Sequence, residues 1–271
     1  MRLAGHWAFW AALVIGLYAA PAWPQTREEQ WSRCRHAAPD IDACTALIQS
    51  NRETGSDLII AHYLRGFAYE GKAEHARAIQ DFDRVLSLDP SHSRAYWARG
   101  VSYGHLKQYA RAIQDFDELI RLEPSLGAAY SNRGFAYASL GQHERAIADY
   151  NEAIRLKTDD YALANRCYSR AVLGQLDAAL KDCNEAAYLK PPSIALEGRA
   201  IVHLKAGRFD AAIADFDAAT RLHPERRAVH LYGRGLARKG RGDIVGGAAD
   251  IAAALTLYPA IAEDMAKLGV R

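Results

Sequence analysis

The chain reads as an all-α solenoid of stacked helix-turn-helix units. Three observations predict this. A six-residue block, Ala78-Ile79-Gln80-Asp81-Phe82-Asp83, recurs unchanged at Ala112–Asp117, an offset of 34. Small residues keep the same period, at Gly66, Gly100 and Gly134, and Cys167, Ala200 and Gly235 continue the column. Prolines close most units, at Pro90, Pro124, Pro191, Pro224 and Pro259, with Thr158 in the remaining place. A period of this length is the mark of a stacked repeat. Six units run from residue 59 to residue 259.

Composition agrees with a folded chain. Of 271 residues half are apolar and 24% are charged, which excludes a disordered polymer. Lys+Arg 34 against Asp+Glu 32 gives a net charge of +2. A near-neutral chain does not advertise nucleic acid or an anionic membrane as its partner.

The first element is a leader. Arg2 is the only charge before Arg27, and an apolar run follows from Trp7 to Ala20. The run is shorter than the roughly 20 residues a spanning helix needs. Ala20-Pro21-Ala22 then supplies small residues for cleavage. These features predict an export signal over residues 1–22 and a periplasmic or secreted protein; an uncleaved anchor is the alternative. No membrane span is expected after cleavage.

Residues 23–58 read as an N-terminal capping hairpin. Trp31, Cys34 and Ala38 mark one helix; Asp40 opens a second with Ile41, Cys44 and Ile48 on one stripe. Within the second repeat, Tyr96, Gly100 and Tyr103 fall at i, i+4 and i+7, and Ala112, Phe116 and Leu119 repeat that spacing. Each unit is therefore two helices, A and B, joined by a short polar turn. Proline ends the pair because it cannot continue a helix. The sixth unit departs most, with Gly247 for the helix-B alanine and Ile251 for the aromatic, and its fold is the least firmly specified. Residues 260–271 read as a C-terminal capping helix, with Ile261, Met265 and Leu268 on one stripe. A solenoid needs caps because its end units otherwise expose their stacking faces.

Tyr96, Gly100, Tyr103, Ala112, Phe116 and Pro124 together resemble the tetratricopeptide repeat. The resemblance covers roughly 200 of the residues. It implies antiparallel helix pairs stacked in a right-handed superhelix, with a concave groove that binds protein partners.

Four cysteines remain, at 34, 44, 167 and 183. An even number in an exported chain reads as disulfides, and the spacings lack the close pairs of a zinc site. Cys167 occupies the small-residue column of helix A and Cys183 the aromatic column of helix B. These columns face each other in the repeat, so the pairing expected is Cys167–Cys183, with Cys34–Cys44 across the first hairpin. Two buried free thiols per hairpin are the alternative.

Six arginines share one column of helix A: Arg65, Arg99, Arg133, Arg166, Arg199 and Arg234. Six aspartates share one column of helix B: Asp81, Asp115, Asp149, Asp182, Asp215 and Asp250. Each Arg precedes its Asp by 16 residues. The equal number and fixed register predict a structural ladder, within or between units, rather than a polyanion site. An Arg fork meets a carboxylate bidentately.

In this family the inner surface is lined by helix-A residues beside the small-residue column. Here that surface would hold Tyr63, Phe67, Trp97, Val101, Phe135, Tyr168, Ile201, Tyr232 and Leu236. Aromatics on a concave face make good anchors for a peptide or helix. The Lys and Asn residues with which some members grip an acidic C-terminus are missing. The ten histidines form no His-x-x-x-His pair, no nucleophile elbow occurs, and Gly235–Gly242 lacks the ending of a phosphate loop. No cofactor is expected. The reading is a non-enzymatic scaffold for a peptide, helix or envelope protein, with self-association possible. The alternative is an accessory subunit of an envelope enzyme, or an enzyme built on a solenoid.

Overall fold

A computed structural model describes residues 26–157, 160–189 and 193–270. The leader, Thr158 and Pro191 lie outside the described residues. Those described form helices and no strand. The first pair is α1 (Arg27–Cys34) and α2 (Ile41–Gln49). Six hairpins follow: α3 (Gly55–Gly71) with α4 (His75–Leu88), α5 (Ser93–His105) with α6 (Tyr109–Leu122), and α7 (Gly127–Ser139) with α8 (His143–Leu156). Then come α9 (Asp160–Val172) with α10 (Leu176–Leu189), α11 (Ser193–Lys205) with α12 (Phe209–Leu222), and α13 (Arg227–Gly240) with α14 (Ile244–Leu257). A short helix, α15 (Ile261–Lys267), ends the described chain. Each helix packs on its neighbours in sequence, and successive A helices also touch, as in α9 with α11 and α11 with α13. The result is an α-solenoid.

Local chemistry sets the element ends. Thr26 and Glu29 form a reciprocal capping box on α1. The Asp40 carboxylate accepts from the Ala43 amide at 3.0 Å and starts α2. Each A-to-B turn has one residue at positive φ: Gly141, Gly174, Gly207 and Gly242, but also Ala73 at 58° and Lys107 at 57°. Only glycine takes that conformation without a Cβ penalty.

Within a hairpin the small residue of helix A lies against the ring of helix B. A Cβ added at Gly66 would come 2.8 Å from the Phe82 ring, one at Gly100 2.9 Å from Phe116, and one at Gly134 2.8 Å from Tyr150. In the fourth unit a disulfide replaces the glycine and ring: Cys167 and Cys183 are bonded, with Cα atoms 5.4 Å apart. Cys34 and Cys44 are bonded across the first hairpin, Cα–Cα 5.0 Å. The fifth unit differs. Ala200 holds the small-residue place, and the Phe216 ring lies against Gly233 of the next helix A.

The sixth hairpin is well packed, against the expectation drawn from its substitutions. A Cβ at Gly235 would meet the Gly247 carbonyl at 2.8 Å, and one at Gly247 would meet the Gly235 carbonyl at 2.6 Å. Two glycines let the backbones touch, so no ring is needed between them. α15 packs on both helices of that hairpin, chiefly on α13. Ile261 and Met265 are buried in one cluster with Ala200, Ile201, Leu231 and Ala237 of the A helices and with Phe216 and Ala254 of the B helices.

Candidate binding groove

The two charge columns meet in every unit. Each guanidinium spans the aspartate of its own hairpin with two hydrogen bonds, as Arg133 Nε and Nη2 do to Asp149 at 2.8 and 2.7 Å. The same geometry joins Arg65 to Asp81, Arg99 to Asp115, Arg166 to Asp182, Arg199 to Asp215 and Arg234 to Asp250. The remaining Nη1 reaches back to the preceding helix B. It donates to Asp83 from Arg99 (2.6 Å), to Asp117 from Arg133 (2.7 Å) and to Asn151 from Arg166 (2.7 Å). Asn184 and Asp217 serve Arg199 and Arg234 in the same way, and Thr45 of α2 serves Arg65. The ladder therefore runs both within and between units. The second residue of each Asp-x-Asp or Asp-x-Asn pair was the signal for this, and spacing alone did not reveal its role.

Burial and pairing compete at these carboxylates. Burial pushes Asp115 and Asp149 above the usual carboxylate range despite their arginines. Asp81 is buried too, but His62 Nδ1 at 2.7 Å adds a second partner to Arg65, and together they hold it below that range.

The nine aromatic and apolar residues expected on the concave face fall into four environments. Tyr63 and Trp97 line a hollow of about 330 Å³ with Arg94, Glu123 and Leu126. Phe67 and Phe135 are 50% and 40% exposed, and Val101 is half-buried. Phe135 lies between Tyr109 and Tyr161, ring centroids 6.4 Å away on each side. Tyr168, Tyr232 and Leu236 are half-buried against the cluster that holds Ile261 and Met265. Ile201 is not a groove residue. It is 2% exposed, within the apolar cluster that also holds Leu231, Ile261 and Met265.

Between Phe135 and α15 a cleft of about 670 Å³ remains, also lined by Tyr161, Asn165, Tyr168 and Arg226. Its wall carries a cluster that sequence reasoning missed. Glu197 accepts from Arg226 Nε and Nη2 at 2.8 and 2.7 Å, and lies 3.1 Å from His230 Nε2. Burial opposes the Glu197 charge, but these two partners outweigh it and hold the carboxyl below its ordinary range. Burial, with Glu197 nearby, pushes the Tyr168 hydroxyl up to about 12. The available signal was an acid at 197 in the column that holds Tyr63, Trp97 and Tyr232.

Sequence comparison agrees with this geometry. Tetratricopeptide-repeat family profiles match residues 63–126, 127–160 and 197–262. The chain is a tetratricopeptide-repeat protein. A search of curated proteins finds no matching sequence. Among solved structures, a tetratricopeptide-repeat protein from Parabacteroides merdae is similar at TM-score 0.67 and 18% identity, covering 84% of this chain and 90% of that one. PilW, a type IV pilus biogenesis factor, is similar at TM-score 0.66 and 19% identity, covering 75% and 95%. YrrB, a repeat protein with an unusual peptide-binding site, gives TM-score 0.56 and 21% identity, covering 75% and 100%. At these identities the likeness is one of fold. This repeat protein is thus of the interaction-scaffold class.

Proposed function

We infer that this tetratricopeptide-repeat protein works outside the cytoplasm and holds a peptide or helix of an envelope protein. The observation that carries the reading is the run Tyr109, Phe135 and Tyr161 beside the cleft. These rings contact one another, and Phe135 keeps much of its surface open to solvent. Rigid aromatics with an exposed face supply binding area at little entropic cost. The likeness to a pilus biogenesis factor and to a peptide-binding repeat protein supports the same reading. Two bonded cysteine pairs support the compartment, since such bonds persist in oxidising surroundings. The apolar run ending at Ala20-Pro21-Ala22 adds an export route, with a mature N-terminus near Trp23.

A photo-crosslinking residue at position 135, introduced in native cells, tests this. One partner should be captured there, and Phe135→Ala should weaken binding of that partner by the purified protein about 30-fold, the measure of an interface hot spot. Capture equal from position 135 and from an outer position such as 118 would overturn the groove reading. Protein retained in the cytoplasm with an intact Met1 would overturn the compartment.

A further inference from the structure

Helix α14 presents a face that is largely open among the described residues, most of all at Val245 and least at Leu255, which is 37% exposed. Gly247, Asp250 and Ala254 point into the protein. On the opposite side Val245, Ala248, Ala252 and Leu255 are all exposed. These four recur at i, i+3, i+7 and i+10, the seam of a two-helix coiled coil. Their flanks are Ile244, Ala249, Ile251 and Thr256, none of them charged. Val245 is 83% exposed and Ile244 57%. The only charge on α14 is Asp250, which is buried and paired with Arg234 and Arg238.

The other B helices differ. Arg77 and Arg84 on α4, Arg111 and Arg121 on α6, and Arg145 and Arg155 on α8 are exposed charges on their outer surfaces. Their stacking sides are covered by the next A helix, as Phe216 of α12 is by Gly233. Much of the stacking side of α14 stays open because α15 packs chiefly on α13.

We propose that this seam pairs with the same seam of a second copy, α14 against α14, as a twofold dimer. The chemistry of the face selects this occupant. An uncharged seam needs an uncharged partner, and the opposite end of the solenoid does not offer one. There α1, α2 and the segments that follow them expose Glu28, Arg33, Arg35, Asp42 and Arg52. Head-to-tail stacking would bury those charges against apolar surface, whereas a twofold contact sets the patch against itself. A lipid surface is the poorer fit, since membrane-bound amphipathic helices carry Lys or Arg beside the apolar face and α14 has none. Ala248 and Ala252 at the centre allow close approach of the two axes. One helix of 14 residues is about 21 Å long, so the contact lies at the small, transient end of interfaces.

Sedimentation equilibrium on the mature chain, from about 1 to about 200 µM, tests the proposal. A reversible monomer–dimer equilibrium is expected. Val245→Glu should weaken it at least about 10-fold while the helical circular dichroism and thermal midpoint stay unchanged. Val245→Leu should preserve it. A monomer throughout the range would overturn the proposal, and so would a dimer indifferent to Val245→Glu. Monomer that floats with phosphatidylglycerol vesicles, and loses this with Val245→Glu, would overturn it in favour of a lipid surface.

Discussion

Arg133 shows how one side chain joins two units. Its fork grips Asp149 within the hairpin, and its third nitrogen donates to Asp117 on the preceding helix B. Asp149 is buried while Asp117 is about half exposed. Arg133→Leu should therefore cost about 3–5 kcal/mol, chiefly because Asp149 is left as an unpaired buried charge. Arg133→Leu with Asp149→Leu should recover much of that loss, as Asp117 is solvated without a partner. Urea titration of the four proteins reads the coupling; additive losses would show that the pair is not energetically linked. Glu197 is a second buried acid held by two partners, Arg226 and His230. Its folded carboxyl ionises below the ordinary glutamate range. A lowered acid contributes stability that is present above its unfolded pKa of about 4.3 and is lost as pH falls through the folded value. Glu197→Gln should lower the urea midpoint at pH 7 and flatten the fall in stability below about pH 4.3. Asp115 and Asp149 act in the opposite sense, since their raised carboxyls take up protons first in the folded state. The register of 16 residues made each Arg–Asp pairing legible. It did not show the third bond, because only the packed structure places one unit's Asp or Asn beside the next unit's arginine.

At the scale of the helical hairpin, the close approach of two backbones governs packing. The ring–glycine contact serves the first three units, a disulfide the fourth, and facing glycines the sixth. Gly134→Ala would push a methyl group to 2.8 Å from the Tyr150 ring. Overpacking of this kind costs about 1–3 kcal/mol, measurable as a lowered thermal midpoint. Reducing the Cys167–Cys183 bond should cost about 3 kcal/mol in the chain-entropy model, for a loop of about 15 residues. Thermal melts with and without reductant, on a Cys34→Ser/Cys44→Ser background, isolate that bond. In the turns, Ala73 holds the left-handed conformation that Gly141 and Gly174 hold in later units. Ala73→Gly should relieve about 1 kcal/mol of steric cost, less the entropy that glycine adds to the unfolded chain. A midpoint that falls by several degrees would show that the alanine is unstrained. Hairpin positions and cysteine columns could be read from periodicity. The contact of Phe216 with Gly233 could not, since it joins two units and exists only once they have stacked.

The whole molecule is an open solenoid whose two ends differ. The first hairpin is clamped by a disulfide and by Arg27, which donates to Glu53 through Nε and Nη2 at 2.7 and 2.8 Å. At the other end α15 lies chiefly on α13, and Lys205 Nζ ties its C-terminal end by donating to the Leu268 carbonyl at 3.0 Å and to the Ala171 carbonyl at 2.5 Å. Removing this tie should loosen α15 first. Lys205→Met should raise hydrogen exchange in residues 261–270 while exchange in α5 to α8 stays unchanged. Equal protection in wild type and variant would show that Ile261 and Met265 hold α15 without help from Lys205.

The sequence by itself determined the repeat, its six-fold copying, the helix pairs and the pairing of Arg with Asp. All of these depend on residues at fixed separations along one chain, and periodicity records such separations directly. Tertiary structure decided three further features: the burial of Ile201, the Glu197–Arg226–His230 cluster, and the open seam of α14. Each depends on how the helices pack once the units have stacked. The apolar stripe Ile261, Met265 and Leu268 states that α15 must bury one face. It does not state which surface will receive it. That choice depends on the turn after Leu257 and on the apolar surface that Leu231, Ala237 and Ile201 jointly present. Such a surface exists only in the assembled solenoid.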